Sequence, residues 1–252
     1  MKAQRVIFEK EKQIYEAALL RFKGVDGWDV YNCSVPFLYN GKRHIYGRVE
    51  RREEWANSHV RLFVETGKDE FTVQHGYRSF ELEDPYIANI KNEMIFGGTH
   101  VRKDKGKIGS YFGYFYRGTP EHLTYFTTGP NYMKDIRVVE LQDGRIGVFS
   151  RPRSDSAASI GWTILDSIEE LGEEVIAKAP PLDIIQENCW GGVNQAYLLT
   201  SGKVGCIAHY SYVDHDAEGE LLVYLNCSFV LHPETRKVED LKILRLPRHT
   251  GG

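Results

Sequence analysis

The sequence predicts an all-β protein, a five-bladed β-propeller in a single domain over residues 1–252 with its active site in the central channel. Three observations carry this. The chain holds 24 Gly, 15 Tyr and 12 Phe, while long runs with a 3.6-residue period are scarce. Short alternating apolar and polar runs dominate, bounded by turn residues. One hairpin layout recurs at a spacing of roughly 50 residues, which suits a four-stranded blade.

The elements follow in order. Helix periodicity is confined to 9–20 (EKEKQIYEAALL) and 166–178 (DSIEELGEEVIAK). Alternation marks strands at 59–66 (HVRLFVET), 110–118 (SYFGYFYRG), 123–129 (LTYFTTG), 159–166 (SIGWTILD) and 220–231 (ELLVYLNCSFVL). The repeated layout is a polar opening, an apolar strand, a two-residue turn and a second strand. It begins at Asp29 with a turn at Asn40-Gly41, at Glu83 with a turn at Asn92-Glu93, at Lys134 with a turn at Asp143-Gly144, and at Trp190 with a turn at Ser201-Gly202. Asn-Gly, Asp-Gly and Ser-Gly are strong hairpin turns because Gly accepts positive φ. A weaker fifth unit, LNCSFVLHPETRKVEDLKIL, turns near Pro233. Each hairpin is expected to form the two inner strands of a blade. The N-terminal segment is expected to add an outer strand that closes the ring, since an open sheet edge invites unwanted pairing.

In a propeller the start of each inner strand and the end of its partner lie at one rim of the channel. Nine residues before the second turn residue stand Asp84 and Asp135. The first unit, with a longer loop, opens with Asp29, and the fourth has Asn194 eight residues back. Seven residues after the same turn position stand Arg48, His100, Arg151 and His209. Tyr31, Asn32, Lys134, Arg137, Trp190 and Tyr210 are close in sequence. Any one of these acids taken alone reads as a turn cap, and any one of the bases as a solvated strand end. Four bases at one repeat phase point instead to a site of carboxylates and cations with aromatic walls. Glycosyl transfer needs such a set: an acid to protonate a leaving oxygen, aromatics to stack on sugar faces, and Arg or His to neutralise phosphate.

Composition removes other classes. The net charge of −3 and pI near 6.3 give no nucleic-acid footprint. The basic clusters at 48–52 and 101–107 read as strand ends or loops. MKAQRVIFEKEKQ lacks the apolar stretch of a signal peptide, and no apolar run is long enough to span a membrane. Cys33, Cys189, Cys206 and Cys227 form no CxxC pair and read as buried free thiols in a reducing cytoplasm. GGVNQ (191–195) and GGTH (97–100) match neither a phosphate loop nor a dinucleotide fingerprint. GKIGSYFG is not a nucleophile elbow, because its second glycine is misplaced. HYSYVDHD (209–216) offers His209, Asp214, His215 and Asp216 to a metal, but without convincing ligand spacing, so its second half reads as a solvated loop. No cofactor is expected.

DVYNCSVPF, YGRVERR, LEDPYIANI, MKDIRVVEL with GRIGVFSRPR, and WGGVNQAYLL together resemble the family known as domain of unknown function 1861, treated as glycosyltransferase family 108. These are mannosyltransferase-phosphorylases, more remotely similar to the mannoside phosphorylases of glycoside hydrolase family 130. The resemblance runs from about residue 25 to 245, and the combination of motifs is specific where no single one is. It implies a five-bladed propeller and inverting β-1,2-mannosyl transfer between mannose 1-phosphate, GDP-mannose or phosphate and manno-oligosaccharides. It implies that Asp84, the acid of the Glu-Asp-Pro motif, is the general acid/base. By position, Arg48, Arg151, His209, Tyr210 and His100 are the phosphate candidates. Asp29, Asn32, Asp135, Arg137, Trp190 and Asn194 are the candidates for holding sugar. The chain is shorter than many members, so reduced acceptor-binding loops are expected. A phosphorylase needs only one protein acid, because phosphate is already an anionic nucleophile. Two alternatives stay open: a hydrolase of the same fold, with Glu187 or Asp135 activating water, and a non-catalytic sugar-binding propeller.

Overall fold

The computed structural model describes residues 2–11, 16–54, 57–104, 106–153, 158–216 and 219–245. The chain divides into two units, one of residues 15–134 and one of residues 1–14 with 135–252.

The 15–134 unit holds two sheets. The first comprises β1 (Arg21–Lys23), β2 (Asp29–Tyr31), β3 (Phe37–Tyr39), β4 (Lys42–Glu50), β5 (His59–Gly67) and β6 (Glu70–Val73). Its order is β1-β6-β5-β4-β2, with β3 also on β4. β1, from the N-terminal segment, pairs parallel with β6 at the edge of this sheet. The second sheet is an antiparallel meander of β7 (Glu83–Ile90), β8 (Glu93–Asp104), β9 (Lys107–Thr119) and β10 (His122–Thr128). Tyr46, Val60, Leu62, Phe80, Leu82, Ile87, Phe96 and Tyr116 form a core shared by both sheets. In β4 every residue from His44 to Glu50 is buried, so this strand carries its polar groups into the interior.

The other unit begins with α1 (Lys2–Glu11). Its first sheet is β11 (Arg137–Glu140), β12 (Ile146–Ser150), β13 (Ile160–Leu165) and β14 (Pro181–Leu182), with α2 (Glu173–Ala177) before β14. Its second is β15 (Cys189–Leu198), β16 (Val204–Asp216), β17 (Gly219–Leu231) and β18 (Val238–Arg245). One core joins Phe149, Ile160 and Trp162 to Val193, Ala208, Tyr210, Leu225 and Phe229. All four cysteines are free; Cys206 and Cys227 are buried, Cys33 and Cys189 half-buried.

Asn40 (φ 48°) and Gly41 (φ 73°) form a two-residue turn between Tyr39 and Lys42. Leu141 and Leu199 open the two later turns with the same bonds, each accepting from the turn glycine at 3.0 and 2.9 Å. The second turn differs from expectation. It is Lys91-Asn92, both at positive φ, because Ile90 pairs with Glu93.

Among the described residues there are four sheets where the repeat predicted five. The fifth hairpin is β17–β18, and β17 pairs with β16 along its whole length, from Asp216↔Gly219 to Val204↔Leu231. The hairpin therefore completes the fourth sheet. Of the helix expected over 9–20, only 9–11 is helical among the described residues, as the end of α1; residues 12–15 lie outside the described residues and 16–20 have no regular structure. The helix expected over 166–178 is a short 3-10 turn, Ile168–Glu170, followed by α2. Val213–Asp216 continues β16 and is not a loop.

Candidate active site

In the 15–134 unit, Arg48 is the centre. It projects from β4 opposite Tyr31, over whose ring it lies at 5.0 Å. Its Nη1 donates to Asp84 Oδ1 at 3.1 Å, and its Nη2 forms an ion pair with Glu83 Oε1 at 3.2 Å. Its Nε donates to Glu50 Oε2 at 2.7 Å and to Ser58 Oγ at 2.8 Å, and Nη2 reaches the same Glu50 oxygen at 2.5 Å. Ser58 also donates to Glu50. Asn32 Nδ2 donates to Asp84 Oδ1 at 2.7 Å. One guanidinium thus serves three carboxylates.

The backbone explains how Asp84 gets there. Register shifts between Glu83 and Tyr86, leaving Asp84 and Pro85 in a β-bulge, and Asp84 has φ 49°. Asp and Asn tolerate this left-handed region better than most residues. A bulge re-aims a side chain that a regular strand would send to the other face. Pro85 costs no ladder bond there. Asn32 (φ 45°) and Asp135 (φ 58°) share the conformation.

Glu50 is 1% exposed. Burial alone would push its carboxyl up. The bonds from Ser58 and Arg48, the Arg48 charge and a bond from Tyr31 outweigh that and hold it below the ordinary carboxylate value. Glu83 goes the other way. Burial raises it, the charges on Asp84 and Glu50 add to the rise, and Arg48 and Lys134 oppose it.

In the unit of residues 135–252, the balance reverses around Asp135. Arg151 Nη1 donates to Asp135 Oδ2 at 2.8 Å, and Arg151 Nε to the Gly191 carbonyl at 2.9 Å. Arg137 Nη2 lies 3.8 Å from Asp135 Oδ1 and His209 Nε2 lies 3.9 Å from Oδ2. His209 Nδ1 bonds Asn194 Oδ1 at 2.8 Å. Asn194 sits at a register shift in β15, and its carbonyl accepts from Arg137 Nε at 2.8 Å. Gly192 makes the approach possible: a Cβ there would stand 2.7 Å from Asp135 Oδ2 and 2.9 Å from His209 Cε1. Tyr224 packs against both Trp190 and His209, each at 6.1 Å between ring centroids.

Tyr210 and His100 are held by other contacts. Tyr210 is 2% exposed and belongs to the core, where its hydroxyl accepts from the Gln186 amide at 3.1 Å. His209 and Tyr210 are strand neighbours, so only one can face the site. His100 bonds the Glu81 carbonyl at 3.0 Å and stacks on Tyr114 at 4.8 Å. The turn one residue earlier puts Thr99 at the counted phase, and a one-residue slip exchanges faces. Arg137 donates to the Ile136 and Asn194 carbonyls and so braces β11 against β15. Asp29 is exposed at the end of β2, opposite Glu50 in register. Glu50, Ser58 and Tyr224 carried no signal in the repeat, because they lie outside its counted phases.

The architecture is all-β and blade-like, with a bulge-mounted carboxylate on an arginine in one unit and a carboxylate among cations and aromatics in the other. The chain belongs to the family described as "Protein of unknown function (DUF1861)", which matches residues 6–249. It is similar to a mannose phosphorylase from Leishmania mexicana solved with a phosphate ion, at 70% identity over 96% of this chain and 76% of that one, TM-score 0.93. It is similar to a GDP-Man-dependent mannosyltransferase from the same organism, at 50% identity over 96% and 78%, TM-score 0.90. A protein of glycoside hydrolase family 130, a family of mannoside phosphorylases containing hydrolases of β-1,2 mannosidic linkages, shares the fold at 11% identity over 88% and 73%, TM-score 0.58. No curated protein matches the chain. Among the described residues no helix is long and apolar enough to cross a membrane, and no group of His, Cys, Asp and Glu is arranged to hold a metal.

Proposed function

We infer that this protein is an enzyme, a mannoside phosphorylase or mannosyltransferase that moves mannosyl units between mannose 1-phosphate and a manno-oligosaccharide. The observation that carries it is the Asp135 cluster. One carboxylate stands among two guanidiniums and an imidazole, so the guanidiniums outnumber it, in a chain 70% identical to a mannose phosphorylase solved with phosphate. Arg151 and His209 are proposed to hold phosphate. Trp190, with Tyr224 beside it, is proposed to stack on a sugar face. Asp29, Asn32, Asp135 and Asn194 are proposed to hold hydroxyls. GDP-mannose is an alternative donor, supported by the 50% identical mannosyltransferase. The unpaired thiols support a cytoplasmic location.

The proposed mechanism is inverting and uses one protein acid. A phosphate oxygen attacks the anomeric carbon, the glycosidic C–O bond breaks, and the Asp84 proton passes to the leaving oxygen. In synthesis the acceptor hydroxyl gives its proton to Asp84 as phosphate departs. The test is incubation with mannose 1-phosphate and mannose or short manno-oligosaccharides. Extended product and free phosphate are expected in equal amounts, with β-1,2 linkage read by NMR. Sugar release that ignores phosphate would indicate a hydrolase. No turnover with either mannose 1-phosphate or GDP-mannose across several acceptors would overturn the reading.

A further inference from the structure

Glu83 has no task in the mechanism above, yet it shares a cation with Asp84. Arg48 Nη2 reaches Glu83 at 3.2 Å and Nη1 reaches Asp84 at 3.1 Å. Sequence neighbours on a strand point to opposite faces. Here both arrive on one guanidinium, because the bulge turns Asp84 back. The Glu83 side chain is 13% exposed, and it lines a cavity of about 170 Å³ with Ser58, His59, Glu81, Thr99 and Lys103.

The arrangement answers a difficulty in the mechanism. A general acid must carry a proton, and an arginine in direct contact favours its loss. Glu50 takes part of the Arg48 charge, bonding two of its nitrogens, but it is fully committed in the interior. Glu83 is the partner nearest Asp84 along the chain and keeps access to the cavity. We propose that Glu83 is a positioning residue for the transfer: by sharing Arg48 it offsets the guanidinium charge, so that Asp84 can hold the proton in phosphorolysis and take it up in synthesis. This rests on the assignment of Asp84 as the acid/base. The charged groups around the pair are Arg48 and Glu50 from β4, Lys134 beyond the sheet, and His59, Glu81 and Lys103 around the cavity. Burial already lifts Glu83 above the ordinary carboxylate value, and its like-charge interaction with Asp84 is one of the causes.

The test is Glu83→Gln in the full chain, read by carbon-detected NMR titration of the Asp84 carboxyl and by pH profiles in both directions. Loss of the negative charge is expected to make the Asp84 carboxyl give up its proton at lower pH. Phosphorolysis should then fall off at lower pH, while synthesis persists to lower pH by the same shift. Glu83→Asp keeps the charge one methylene farther from Arg48 and should fall between; it carries the test where Glu83→Gln does not fold. An unmoved Asp84 midpoint overturns the proposal. So does an equal loss in both directions with no shift, which is the signature of packing alone. A wild type without turnover would overturn the proposed function, while the titration still decides the coupling between the two acids.

Discussion

The Arg48 cluster and the Asp135 cluster use the same residue types in opposite proportions. In the first, one guanidinium is divided among Glu50, Glu83 and Asp84. In the second, one carboxylate is divided among Arg137, Arg151 and His209. A surplus of carboxylates over cations favours retaining a proton. A surplus of cations over carboxylates favours attracting an anion. Local backbone geometry does not separate the two, since Asp84 and Asp135 both sit at left-handed φ. The difference comes from the neighbouring strands: β4 brings Glu50 and Arg48 to the first, and β16 brings His209 to the second.

The largest test of this contrast is Asp84→Asn. It should lower turnover about 1,000-fold with the circular dichroism spectrum and melting temperature near wild type, since Asn tolerates the same φ and still accepts from Asn32 and Arg48. A fully active variant would break the contrast. Next is Glu50→Ala, which removes the most buried of the carboxylates on Arg48 and should cost about 3 kcal/mol in chemical denaturation. Because the folded carboxyl lies below its ordinary value, Glu50 stabilises above the unfolded carboxyl's pKa. That contribution is lost as pH falls through the folded value, so the gap between wild type and variant should narrow in acid.

Smaller again is Arg151→Ala. It removes a cation from the anion-favouring cluster and should weaken phosphate or mannose 1-phosphate binding by about 30-fold, or ~2 kcal/mol, measured by calorimetry. An unchanged affinity would move the phosphate site elsewhere. The smallest is Tyr210→Phe. It should leave phosphate affinity unchanged and lose about 1 kcal/mol of stability with the bond from the Gln186 amide. A loss of affinity would restore Tyr210 to the site.

Much of the chain was legible because its signals are local. Asn-Gly, Asp-Gly and Ser-Gly marked three hairpins, and each folds as a turn with its glycine at positive φ. The phase of those turns led to Arg48, Arg151 and His209. Where a turn was displaced by one residue, the counted phase moves from His100 to Thr99. Asp84 survived the same displacement only because its bulge absorbs one residue. Strand alternation in HYSY already contained the correction at Tyr210, since His209 and Tyr210 cannot share a face. Glu50 and Ser58 were not legible, because nothing in either residue's own surroundings announces a shared arginine.

The sequence by itself determined an all-β chain, its hairpins, its free thiols and most of the charged residues at the strand ends. These follow from side-chain period and from glycine or asparagine at positive φ, which act over a few residues. Tertiary structure decided which hairpins share a sheet, making, among the described residues, four sheets of five predicted units. It also decided that three acids meet one arginine and that two arginines meet one acid. The physical reason is that ion pairs and burial depend on residues from separate strands meeting, and strand order is set by whole-sheet pairing, not by any local pattern.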